Sequence, residues 1–100
     1  MIQRLHTPVT VAAVFDHRTR QIVIKRMIYD GRDYAVQCVP YHYTRRVGRM
    51  VVHVYCVATG GAYFKLAFNT ETLLWIVEEI HDHEPSSFIF QSEAPNHPAH

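Results

Sequence analysis

The chain has 100 residues, of which 48% are hydrophobic and 19% charged, and its formal net charge is +1. That length allows one small domain with a modest core, and the composition is that of a folded chain, not a disordered one. No apolar run approaches the roughly 20 residues that cross a bilayer, and Met1 to Pro8 lacks the apolar stretch of a signal peptide, so a cytoplasmic location with no membrane partner is expected.

Val9 to Phe15 is a β-branched run that stops at the turn-type cluster Asp16-His17-Arg18-Thr19-Arg20. Ile22 to Tyr29 resumes as a second strand, with Ile22, Ile24 and Ile28 on one parity. Asp30-Gly31 between β-formers predicts a tight hairpin, because a type I′ turn needs positive φ at both central positions. Tyr34 to Val39 reads as a third strand stopped by Pro40, which cannot donate to a central ladder.

The stretch YHYTRRVGRM, residues 41–50, then reads as a loop. Met50 to Ala58 is a fourth strand, which Thr59-Gly60-Gly61 turns into a fifth, Ala62 to Phe68. Leu73 to Ile80 follows the polar connector Asn69-Thr70-Glu71-Thr72 and fits a short strand; Leu73, Ile76, Val77 and Ile80 also fit a helical stripe. Beyond His81 the pattern is lost, apart from a short apolar run at Phe88-Ile89-Phe90, so residues 85–100 read as an extension of a single β-domain spanning 1–84.

About six strands in succession predict an all-β antiparallel meander curled into a small barrel or rolled sheet. Its core is expected to hold Val11, Ile24, Val36, Val54, Phe64, Leu66 and Trp75.

The chemistry is sparse. No serine or cysteine sits in a nucleophile motif, and Gly60-Gly61 lacks the following helix of a phosphate loop. Glu78 and Glu79 are adjacent, so on a regular strand they point to opposite faces and cannot work as an acid/base pair. Cys38 and Cys56 show no C-x-x-C spacing and are expected reduced. Eight histidines raise the question of metal. His81 with His83 supplies two ligands and no third, and Cys38 with His53 meets only in one of several registers, so no metal or other cofactor is expected.

Charge is unevenly laid out. Through Leu66 there are ten Arg/Lys against Asp16, Asp30 and Asp33; from Ala67 onward there are six acids and no Arg or Lys. Tyr41, Tyr43, Arg45, Arg46 and Arg49 combine stacking faces with guanidinium forks, and Arg26 and Arg32 (with Lys25) extend them from the neighbouring hairpin. The expectation is a non-catalytic module that meets single-stranded nucleic acid, or an acidic protein surface, through these residues. The rival reading is a protein–protein adaptor or a self-associating homo-oligomer that uses a strand edge and its charge polarity.

The succession FDHRTRQIVIKRMIYDGRDYAV, HVYCV and YFKLAFNTETLLWIVEEI is similar to a group of short, uncharacterised bacterial all-β domains. In that group a strand ending in an aromatic meets a Gly-Arg-x-Tyr hairpin, and a late Trp follows an Asn/Asp-x-x-Thr turn. The matching positions are Tyr29, Gly31, Arg32, Tyr34, Asn69, Thr72 and Trp75, within roughly residues 8–82. Such sequences often have proline where Ile24 stands. The resemblance implies a β-fold and carries over no functional residue; some related domains accompany DNA-repair polymerases, which implies a nucleic-acid setting.

Overall fold

The computed structural model describes residues 2–83. Seven strands form one antiparallel sheet in the order β1-β7-β6-β5-β4-β3-β2. They are β1 (Ile2–Pro8), β2 (Thr10–Asp16), β3 (Gln21–Tyr29), β4 (Arg32–Val47), β5 (Met50–Thr59), β6 (Tyr63–Asn69) and β7 (Trp75–His81). From β2 to β7 each strand pairs with the next, as in a meander. β1 and β2 are joined by Val9 alone, yet β1 pairs with β7 and β2 with β3. The two edges of the sheet therefore meet at Val9 without pairing, and the sheet is a roll, not a closed barrel. Among the described residues no helix is long and apolar enough to cross a membrane.

The turns follow local chemistry. Asp30 and Gly31 both carry positive φ (53° and 76°), as the Asp-Gly signal requires. Gly48 (φ 62°) turns β4 into β5 in a two-residue hairpin between Val47 and Met50. Two further hairpins share one design. The Oδ1 atoms of Asp16 and Asn69 accept backbone N–H bonds from Arg18 and from Glu71 and Thr72, and each loop closes with a residue at φ near 60°, Arg20 or Leu73.

Several expectations are corrected, and most corrections trace to β-bulges. Ile2–Pro8 is a strand, so the described residues hold seven, against the expected six or so. Residues 41–47 are not a loop: β4 runs through Pro40 to Val47. Pro40 is tolerated because the β4–β5 register shifts between Cys38 and Tyr41, where a missing N–H breaks no ladder bond. Residues 75–80 belong to a strand, so the helical alternative falls, and Leu73 and Leu74 lie in the turn before it. In β3 a register shift at Lys25 flips the parity, which buries Met27 together with Ile24 and leaves Ile28 exposed. The run Phe88-Ile89-Phe90 and the extension 85–100 lie outside the described residues.

The main core lies inside the roll, where Ile24 and Met27 of β3 meet Tyr55, Val57, Phe64, Leu66 and Val77. Of the expected core, Ile24, Val54, Phe64 and Leu66 are buried, whereas Val11, Val36 and Trp75 are only partly so. Val54 faces the other way, into a smaller cluster with Val52, Ala67 and Tyr43 on the outer face.

Candidate functional site

Because residues 41–47 are a strand, successive side chains go to opposite faces. The pairing Tyr41↔Cys56, Tyr43↔Val54 and Arg45↔Val52 puts these three on the outer face. His42↔Tyr55 and Thr44↔His53 put the alternate set, with Arg46 beside Val51, on the inner face. One compact basic-aromatic patch is therefore not what the chain builds.

On the outer face Arg45 is committed within the chain. Its guanidinium forms a two-pronged ion pair with the Glu78 carboxylate, one prong being Nη1 to Oε1 at 3.0 Å. Glu79 accepts from Lys65 (3.5 Å) and bonds His81 Nε2 (2.8 Å). Glu78 and Glu79 thus reach partners on the same face, contrary to the alternation expected of adjacent residues. The reason is a bulge: Lys65 pairs with Glu79 and Leu66 with Val77, so Glu78 is the extra residue. Burial would raise the Glu79 carboxyl, but the His81 hydrogen bond and the Lys65 ammonium outweigh it and hold its pKa below the usual carboxylate value. Burial, with Cys56, Glu78 and Glu79 nearby, raises the Tyr43 phenol against the opposing pull of Arg45. Burial pushes the Cys56 thiol up to about 12. The acidic strand of the chain has neutralised part of the basic one.

The remaining expected residues are dispersed. Arg26 is exposed and held by Asp33 at 3.0 Å. Arg32 opens β4, at the far end from Arg46 and Arg49. Arg46 and Arg49 are exposed and make no ion pair among the described residues. Cys38 pairs in register with Ala58, so the Cys38–His53 register does not form. His81 is buried against Glu79 whereas His83 is exposed beside Asp82, and the two share no site.

The inner face carries what the loop reading hid. The His42 ring stacks on Tyr55 at 4.2 Å with only 5° between planes. His53 continues the stack, its Nδ1 lying 3.0 Å from His42 Nε2. Tyr55 meets Trp75 at 5.5 Å, and Trp75 stacks on Phe68 at 4.6 Å. Five rings from four adjacent strands so form a continuous floor, with Thr44 and Arg46 following at its β4–β5 end. Burial first, and the neighbouring His53 second, lower the His42 pKa and favour a neutral ring. An open groove of about 440 Å³ lies over part of this floor, walled by Phe15, Arg20, Gln21, Ile22 and Val39. The signal for it was period-two alternation through 42, 44 and 46 against 53 and 55, legible only once 41–47 is taken as a strand.

The chain matches no protein-family model, no curated protein and no solved structure.

Proposed function

We propose that this protein is a small non-catalytic binding module that holds single-stranded nucleic acid across the inner face of its roll. Unpaired bases stack on the accessible rings of His42, His53, Phe68 and Trp75, which the buried Tyr55 supports from below, while Arg46 and Arg49 meet the phosphates. The observation that carries this reading is the ring floor itself, flush with a sheet and followed by Arg46 and Arg49, which make no ion pair among the described residues. Stacking is tolerant of sequence, since every base has a π-face, and contributes on the order of 1–3 kcal/mol per base. Aromatics on a sheet with cations at the rim are a common way to hold unpaired strands. Tyr41, Tyr43 and Arg45 drop out of this site, being on the outer face, and Arg26 of β3 and Arg32 of β4 lie at the β3–β4 hairpin, too far away to serve it.

The test is fluorescence anisotropy with a labelled single-stranded oligonucleotide at several salt concentrations. Two phosphate contacts give a slope of about −1.4 in log K against log salt, at roughly −0.7 per contact on single strands. Changing Arg46 and Arg49 together to Ala should abolish most of that slope. His53→Ala should weaken binding about tenfold or more while leaving the slope intact. Binding that loses its slope with Arg26 and Arg32 instead, or no binding at all, overturns the proposal.

A further inference from the structure

The β3–β4 ladder is short. It joins Arg26–Tyr29 of β3 to Arg32–Ala35 of β4 and stops after the Arg26–Ala35 pair. Continued in register, it would pair Lys25 with Val36 and Ile24 with Gln37. Instead β4 turns away to pair with β5, from Val36↔Thr59 onward, while β3 stays with β2 through Gln21. The sheet is split there. An open gap of about 350 Å³ lies between the strands, lined by Gln21 to Lys25 on one side and Val36 to Val39 on the other.

The two walls differ. β3 is regular from Gln21 to Ile24, so its backbone on that side forms a straight edge of four residues without a ladder partner, up to the bulge at Lys25. The β4 wall is broken by register shifts on both sides of Cys38 and ends at Pro40, which has no N–H. It can cover an occupant with Val36 and Val39 but cannot hydrogen-bond one regularly. Lys25 stands at the gap, exposed and without an ion pair among the described residues. Arg20, beside Gln21, borders the inner-face groove and not this gap, so Lys25 is the cation that an occupant of the gap meets.

We propose that this gap is a docking slot for an extended acidic peptide of a partner protein, which adds as an antiparallel strand to residues 21–25 of β3. Strand addition supplies main-chain hydrogen bonds that a nucleic acid cannot, and side chains on alternate positions read the walls. One set of the peptide's side chains is apolar and packs toward Ile22, Ile24, Val36 and Val39; the alternate set is acidic and meets Lys25. The inference goes beyond nucleic-acid binding and does not rest on it.

The experiment uses two blocked hexapeptides, alternating Val with Glu or Val with Lys, titrated into the full chain and read by amide hydrogen exchange and affinity. The Glu peptide should bind at least tenfold more tightly than the Lys peptide and slow exchange at residues 21–25. Lys25→Glu should remove or reverse that preference, and N-methylation of alternate peptide amides should abolish the protection. Oligonucleotide affinity should be unchanged in Lys25→Glu, so the two readings fail separately. Binding without protection of β3 would be ordinary surface charge and would sink the proposal. Protection that rises with protein concentration alone would assign the slot to a second copy and would sink it equally.

Discussion

At the scale of single residues, burial and partners divide chemically similar groups into different behaviours. Cys38 is exposed and Cys56 fully buried, and burial pushes the Cys56 thiol up to about 12. The thiolate is the reactive form. Native protein should therefore consume one equivalent of a thiol reagent quickly, at Cys38, and a second only on unfolding. Fast labelling of both sites in the native state would show that the outer face opens readily. The carboxylates behave analogously. Glu78 and Glu79 are neighbours with separate cations, Arg45 and Lys65, and Lys65 is only 7% exposed. The lowered Glu79 pKa means the folded state binds its proton less well than the unfolded chain. Its contribution to stability is then present above the ordinary carboxylate pKa and lost as pH falls through the depressed folded value. Glu79→Gln should cost about 2 kcal/mol at neutral pH, because it leaves a buried ammonium underpaired. In urea titrations the variant should show a flatter loss of stability on acidification than the parent.

Turns and bulges dominate at the scale of elements. The Asp30-Gly31 hairpin was fully legible, since a dipeptide with positive φ at both positions has a local physical cause. The loops closed by Arg20 and Leu73 were less so, because a side chain at φ near 60° is normally unfavourable and nothing in either residue type announces it. That contrast gives a paired prediction. Gly31→Ala should destabilise by about 1 kcal/mol, although open space surrounds the position, because φ 76° strains any Cβ. Leu73→Gly should be neutral or stabilising by up to about 1 kcal/mol, as the side chain is 67% exposed and its backbone strain is relieved. Thermal melts of the two variants check both signs. Bulges also explain the misread parities: one extra residue at Lys25 or at Glu78 moves every following side chain to the other face. A sequence shows alternation, but the position of a bulge is chosen by the strand opposite.

For the whole molecule, charge layout and sheet curvature had to be seen together. The basic first two-thirds and acidic last third could have built a polar molecule with two distinct faces. Instead the meander brings β7 within reach of β4 and β6, and Arg45 and Lys65 are matched to Glu78 and Glu79. Among the described residues Arg46 and Arg49 at one end, next to the ring floor, Arg20 beside the inner groove, Lys25 at the split between β3 and β4, and Arg32 at the hairpin make no ion pair. The sequence by itself determined the all-β class, the succession of strands from β2 to β6, and the turns at Asp30-Gly31 and Gly60-Gly61, because hydrophobic period and turn chemistry act over a few residues. It also determined that Phe64 and Leu66 are core, since they share one face of an unbroken strand. Only the tertiary structure decided that 41–47 continues β4, that His42, His53, Tyr55, Phe68 and Trp75 form one floor, and that the sheet splits beyond Arg26. Each of these depends on which strand lies alongside and in what register, and that is set by the packing of the roll as a whole, not by any segment alone.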